Sequence, residues 1–301
     1  MTVTVLDGGL ATELEARGHD LSDRLWSARL LLTDPEAIEE VHLAYYRAGA
    51  RVATTASYQA TVPGLTRVGL DRPRALATIR LSARLAQRAR ERYREDIGTA
   101  GPDDGLLVAG SLGPYGAMLA DGSEYLGDYD PGTAAMRDLH APRIEALLDA
   151  GVDLIAFETI PTVREAQVLV DLLVEAGARG WLSYQCRDAR STAAGEPIEE
   201  AVSIADGIES LVAVGLNCTS PRHVSALLAA ARPATDRSLI AYPNGGDRWD
   251  PGGRHWVPSD DTGGFDPVAA AGWRDLGVTW LGGCCGTGPD DIAALAAALA
   301  G

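Results

Sequence analysis

The sequence contains no lysine. All 26 of its basic residues are arginines, set against 42 aspartates and glutamates, for a net charge of −16. Without lysine there is no Schiff-base nucleophile, which argues against the aldolases and decarboxylases that depend on one. The acidic balance argues against nucleic acid and anionic membranes as partners and leaves small molecules. No apolar run approaches the roughly 20 residues of a membrane span. The first residues, Met-Thr-Val-Thr-Val-Leu-Asp, lack the basic segment and apolar stretch of a secretory leader, so a cytoplasmic location is expected. Cysteine is scarce, with four in 301 residues. In a reducing compartment such cysteines favour metal binding or catalysis over structural disulfides. No Gly-x-Gly-x-x-Gly follows the first strand-like run, which removes the dinucleotide fingerprint. No linker and no second run of strands divides the chain, and nothing in the composition fixes an oligomeric state.

What is present is a regular alternation. Apolar runs at 3–6, 51–56, 106–112, 153–157, 181–185, 211–216, 239–242 and 278–281 read as eight strands. They are nearly continuous in apolar residues, as expected for a parallel sheet buried on both faces. Helical patterns cover 11–17, 73–94, 133–150 and 163–176. Ser220 and Pro221 stand as N-cap and first residue of another helix, and Pro289 opens an alanine-rich last one. Eight β-then-α units over this length predict an α/β fold, a single (β/α)8 TIM-type barrel spanning residues 1–301. Active sites in that fold sit at the C-terminal ends of the strands. Asp7, Thr55, Ser57, Glu158, Cys218, Cys284 and Cys285 all fall there.

The stretch 280–289, Trp-Leu-Gly-Gly-Cys-Cys-Gly-Thr-Gly-Pro, places two of the four cysteines side by side among glycines. Adjacent side chains on a strand face opposite ways, so both thiols serve one site only if the backbone leaves the strand path. Gly282, Gly283 and Gly286 permit that. Cys218, at the end of Gly-Leu-Asn-Cys, supplies a third thiol in an equivalent place. Three such thiols point to a soft-metal site. Cys186, alone at the end of its strand, reads as a small buried hydrophobe. The five histidines, His19, His42, His140, His223 and His255, lack ligand spacing and read as structural or solvated. Tyr242-Pro243-Asn244-Gly245 reads as a strand-end turn, with Asn244 facing the site.

Asp7-Gly8-Gly9, Gly215-Leu216-Asn217-Cys218 and Gly282-Gly283-Cys284-Cys285-Gly286-Thr287 resemble the three signature segments of the zinc-dependent homocysteine S-methyltransferases. Thr55-Ala56-Ser57-Tyr58-Gln59-Ala60, Gly113-Pro114-Tyr115-Gly116-Ala117 and Ala120-Asp121-Gly122-Ser123-Glu124-Tyr125 resemble the branch that uses S-methylmethionine or S-adenosylmethionine. The resemblance implies a homocysteine-binding domain in which Cys218, Cys284 and Cys285 ligate Zn2+ and homocysteine sulfur takes the fourth position. It implies that Asp7 and Glu158 hold the substrate ammonium group. Backbone near Gly8 and Thr55, with the hydroxyls of Thr55 and Ser57, receives its carboxylate, and Asn217 joins the substrate set. Tyr115 and Tyr125 are expected to cover the sulfonium donor, where aromatic faces attract a cation.

The chemistry follows from general rules. A free thiol has a pKa near ~8.5 and is a poor nucleophile at neutral pH, whereas zinc displaces its proton. Methyl transfer is then an in-line displacement that depends on holding donor and acceptor together. Two other readings stay open at this stage. One is a redox or metal-sensing barrel whose thiols form a reversible disulfide. The other is a methyltransferase for a different thiol or selenol acceptor.

Overall fold

The computed structural model describes residues 2–21, 25–99, 105–246, 248–250, 255–257 and 264–300. Eight parallel strands form its centre: β1 (Thr4–Val5), β2 (Val52–Thr54), β3 (Leu107–Leu112), β4 (Leu154–Ile160), β5 (Gly180–Tyr184), β6 (Leu211–Asn217), β7 (Leu239–Tyr242) and, last in the chain, β10 (Val278–Leu281). Two more, β8 (Arg248–Asp250) and β9 (His255–Val257), make a separate antiparallel ribbon. The main sheet runs β1-β10-β7-β6-β5-β4-β3-β2. Its two end strands then meet: Leu6 bridges Val52 in parallel, and Arg51 N–H donates to the Val5 carbonyl at 2.7 Å. The sheet thus curls into the expected barrel, with helices on its outside.

Side-chain alternation sets what faces inward. Leu6, Val52, Ala109, Leu154, Ala156, Trp181, Ala213, Ile240 and Tyr242 form an apolar cluster inside the barrel, separate from the larger core under the helices. Trp181 meets the edge of Tyr242 at 6.4 Å and donates from its indole to the tyrosine hydroxyl at 2.9 Å. Two residues further along their strands, in the same inward phase, stand Thr54, Ser111, Glu158 and Ser183. The apolar plug therefore ends in a polar layer at the C-terminal mouth.

The helices follow local signals. Asp71 accepts from Arg74 N–H at 2.9 Å to start Arg72–Ile97, which Gly98 ends at φ 67°. Thr162 caps Val163–Glu175 through Glu165 N–H at 3.1 Å. Ser220 and Pro221 open Pro221–Ala231 as expected, although the Ser220 side chain accepts no capping bond. Two differences matter for the site. Strand β4 runs beyond its expected end at 157 and carries Glu158 within it, with a register break between Phe157 and Ile160 against β5. The helix Pro35–Arg47, capped by Asp34, was not anticipated; it brings Tyr45 and Tyr46 into the core.

That helix also buries His42 completely, and neither of its ring nitrogens has a partner among the described residues. Burial lowers its pKa from 6.5 to about 4. Between those values the unfolded chain takes up a proton that the folded chain refuses, so stability falls as pH drops through the window. We expect His42→Leu to flatten that fall by roughly 3 kcal/mol in urea titrations at pH 6.5 and pH 4. An unchanged slope would contradict the assignment.

Candidate metal centre and substrate pocket

Cys218 follows the last residue of β6 and sits at φ 45°, a left-handed conformation that non-glycine residues avoid. Thr159, beside it on β4, is also left-handed at φ 61°. Asn217 holds the two together. Its Oδ1 accepts from Thr159 N–H at 2.6 Å and from the Ser183 hydroxyl at 2.9 Å, and its Nδ2 donates to Thr159 Oγ1 at 2.8 Å. Strain of order 1–3 kcal/mol at each such residue persists only where surroundings impose it. Here it turns the Cys218 sulfur inward.

The Cys284–Cys285 turn is fastened on three sides. Gly283 N–H donates to the Asp7 carbonyl at 3.1 Å, Cys284 N–H to Pro243 at 2.8 Å, and Gly245 N–H to Cys285 at 2.6 Å. Gly283 admits no side chain, since a Cβ would lie 2.1 Å from Thr287 Oγ1. The same holds at Gly8, whose Cβ would press on the Thr287 carbonyl at 2.8 Å. Both cysteines thereby leave the strand path and face one point.

The three sulfurs of Cys218, Cys284 and Cys285 lie within 4.8 Å of one another, and Cys218 and Cys285 are 3.7 Å apart. Sulfurs around a tetrahedral ion with bonds of about 2.3 Å stand about 3.8 Å apart, so the trio fits a metal. Hydrogen bonds from Cys218 and Cys284 hold Cys285 well below the ordinary thiol range. Cys218, bonded to both neighbours, is pushed well above it. One of the three is thus already biased toward thiolate. Cys186 stands apart, its thiol pushed up to about 12 by burial.

Beside the sulfurs opens a cavity of about 670 Å³ including its mouth. Asp7 reaches it while accepting from Thr54 N–H at 2.6 Å and Thr54 Oγ1 at 2.7 Å. Glu158 reaches it while accepting from the Ser111 hydroxyl. Burial raises each carboxyl to about 8; Thr54 opposes the rise at Asp7, and charge on Cys284 adds to it at Glu158. No arginine or histidine is among the described residues that line it. An empty pocket therefore favours protonated carboxyls, and a bound cation favours the anions.

Of the other expected residues, Gly8, Thr55 and Tyr125 line this cavity. Ser57 lies behind Thr55, sharing a 2.7 Å hydroxyl contact and donating to the Ser111 carbonyl at 2.7 Å. Asn217 also lies behind the wall, as the clamp just described. Asn244 is buried against the Cys218 carbonyl at 3.5 Å. Tyr115 is not among the lining residues: its N–H donates to Glu165 at 2.6 Å and its ring rests on Tyr129 at 5.9 Å. Tyr58, Tyr242, Thr54 and Ser111 do line the cavity and went unassigned. Thr54, Ser111 and Tyr242 were readable from strand phase, each lying two residues beyond an inward apolar position.

A model of homocysteine S-methyltransferase matches residues 4–299. The chain belongs to the homocysteine S-methyltransferase family. Within it, the homocysteine S-methyltransferase of Escherichia coli (strain K12) is 46% identical over 296 residues, covering 98% of this chain and 94% of the relative. The selenocysteine Se-methyltransferase of Brassica oleracea var. italica is 42% identical over 303 residues, covering 97% and 87%. The crystal structure of the homocysteine methyltransferase MmuM from Escherichia coli in its metallated form matches with a TM-score of 0.85 at 45% identity, over 99% of this chain and 96% of that one. No helix among the described residues is long and apolar enough to cross a membrane.

The geometry makes a simple expectation about metal. Protein purified under reducing conditions should carry about one ion per chain. Cys218→Ala and Cys285→Ala should each lower that content at least tenfold, and Cys186→Ala should leave it unchanged. Metal analysis by mass spectrometry checks all three. Retention of metal by Cys218→Ala would remove that residue from the ligand set.

Proposed function

We propose that this protein transfers a methyl group from a sulfonium donor, S-methylmethionine or S-adenosylmethionine, to the sulfur of homocysteine, giving methionine. The observation that carries this reading is the meeting of three thiols and two buried carboxyls at one barrel mouth. Family membership supports it. A three-sulfur donor set with an open position suits Zn2+, with Cys218, Cys284 and Cys285 as protein ligands. When bound, zinc supplies the positive charge that keeps the substrate sulfur deprotonated at neutral pH. On the same reading residues 1–301 act as one homocysteine-binding domain on small molecules, in the cytoplasm, where thiols stay reduced.

The chain's own residues do the rest. Asp7 and Glu158 take the substrate ammonium, becoming anions as it arrives, and Thr54 and Ser111 hold them in place. Backbone around Gly8, with Thr55 supported by Ser57, receives the carboxylate. Asn217 acts by aiming Cys218. Tyr125, with Tyr58, presents aromatic surface to the sulfonium. In the transfer, a lone pair on the homocysteine sulfur forms the new S–C bond. The donor's S–C bond breaks and its electrons stay on the departing sulfur, which leaves as a neutral thioether. No proton moves in this step, so no general base is required. Positive and negative sulfurs become neutral together, and a water-poor pocket favours a step that removes charge.

A selenol acceptor is the second reading, favoured by the 42% identity to a selenocysteine Se-methyltransferase. The same pocket serves both, since selenium replaces sulfur at the same position.

The test is methionine formation from homocysteine with each donor, using reduced, metal-replete protein. Turnover is expected, and Glu158→Gln should raise the homocysteine KM about 30-fold or more by leaving the ammonium half-paired. Metal-replete protein that makes no methionine with either donor would sink the reading. Faster turnover with selenocysteine would promote the second.

A further inference from the structure

Behind the pocket lies a buried polar network that the proposed chemistry does not use. Arg143, in the helix Thr133–Asp149, is fully buried, as are His140 one turn before it and Glu165 in the neighbouring helix Val163–Glu175. Isolated buried charges are costly, so these groups persist only because they are paired and hydrogen-bonded. His140 Nε2 lies 2.7 Å from Glu165 Oε1, and its Nδ1 lies 3.3 Å from Arg143 Nη1. Burial holds the histidine below its ordinary pKa. A neutral ring that donates from Nε2 and accepts at Nδ1 satisfies both neighbours, bridging a guanidinium and a carboxylate.

The outer bonds of this network all go to loops at the mouth. Arg143 Nη2 donates to the carbonyls of Ser57 at 3.1 Å and Tyr58 at 2.7 Å, and Nη1 to Gly113 at 3.0 Å. Glu165 accepts from Tyr115 N–H at 2.6 Å and from the Tyr129 hydroxyl at 2.5 Å. The loops after β2 and β3 are thus pinned from below by one fork. Contact among them is tight. A Cβ on Gly113 would lie 2.6 Å from the Tyr58 ring, and one on Gly116 would lie 2.6 Å from Glu124 N and from the Tyr129 ring. Tyr58 and Tyr125, carried by these segments, line the cavity, whereas Tyr242, which also lines it, stands on β7. Most of the groups proposed to hold homocysteine and metal stand after β1, on β4, after β6 and in the turn after β10, away from this fork, and only Ser57 among them is bonded to Arg143, through its carbonyl.

We propose that Arg143, oriented by His140 and Glu165, is a positioning residue for the methyl-donor half of the site. It acts through the carbonyls of Ser57, Tyr58 and Gly113 to hold the aromatic wall at the distance the sulfonium needs. This rests on the function proposed above. Lysine cannot replace it, because one ammonium does not reproduce a planar fork spanning two loops.

The test uses metal-loaded full-length Arg143→Lys, Arg143→Ala and Tyr129→Phe, the last removing one hydroxyl and leaving the ion network intact. Steady-state kinetics should show the donor KM raised at least 10-fold in the arginine variants and about 3-fold in Tyr129→Phe. The homocysteine KM should rise by no more than about 3-fold, through the Ser57 carbonyl, and metal content should stay within about 2-fold of wild type. Added guanidinium should restore part of the donor KM in Arg143→Ala. Hydrogen exchange, which needs no turnover, should show lost protection at 57–60 and 113–117 in Arg143→Lys, with 282–287 unchanged. Parallel rises in both KM values, loss of metal, or protection lost throughout would make the network merely structural and overturn the proposal. If wild type makes no methionine, the function proposed above fails, and the exchange pattern alone decides whether Arg143 positions the two loops.

Discussion

Negative charge at one closed mouth is the constraint on which the rest depends. Five acidic groups, the thiols of Cys218, Cys284 and Cys285 and the carboxyls of Asp7 and Glu158, converge on a cavity with no basic side chain among the described residues that line it. Ionising all five together in a low-dielectric pocket is prohibitive without cations. The local electrostatics show the consequence. Burial pushes both carboxyls up, and the mutual hydrogen bonds of the thiols push Cys218 above and Cys285 below the ordinary thiol range. The site is a set of acceptors waiting for positive charge. On the proposed reading, a metal for the sulfurs, an ammonium for the carboxyls and a sulfonium for the aromatic side are three cations of that kind.

Holding such a set together requires a frame that does not relax. The barrel provides it by closing on itself, so that β1 and β2 meet through Leu6 and Val52. The strained turns at Cys218 and Thr159 are locked by one asparagine whose amide is used on both its oxygen and its nitrogen. The Cys284–Cys285 turn is tied to the loops after β1 and β7 by backbone bonds alone. The Cys284 and Cys285 sulfurs are thus placed by main-chain bonds and the Cys218 sulfur by the Asn217 amide, whereas the carboxylates each rest on one residue, Thr54 or Ser111. Mutual repulsion among the acids is resisted by a few well-placed hydrogen bonds rather than by many weak contacts.

Much of this was legible in the sequence, for a physical reason. Parallel strands buried on both faces leave apolar runs, and in a barrel the polar residues that end those runs share one rim. That is why Asp7, Glu158 and the three cysteines could be brought together before any coordinates. Strand phase was harder. Thr55 was expected at the site and does line the cavity, but the inward phase of Val52 carries on to Thr54 as well, which holds Asp7 and went unassigned. Glu158 was expected just past its strand, and a register break inside β4 keeps it within. Tyr58 and Arg143 carried no signal of this kind. Arg143 lies in a helix with arginine, glutamate and aspartate at many positions, and nothing local distinguishes a buried guanidinium from a solvated one. The ribbon of β8 and β9 fell in a segment rich in glycine, proline and aspartate that reads as loop.

The two halves of the site differ in how they are built, and the difference fits the proposed reaction. On the proposed reading, the homocysteine half must confine a thiolate and an ammonium, both strongly hydrated, and it would do so with charges and a firmly held backbone. The donor half must accept a sulfonium, a soft cation with little need for hydrogen bonds. A second set of carboxylates there would stabilise the donor before reaction more than at the transition state, where its charge is fading, and so would slow transfer. Aromatic faces attract the cation weakly, which leaves the loss of charge free to drive the step. Such a wall contributes by shape and distance, so its backing must be stiff. A buried arginine fork gripping three carbonyls from beneath supplies that stiffness without placing a positive charge in the cavity itself.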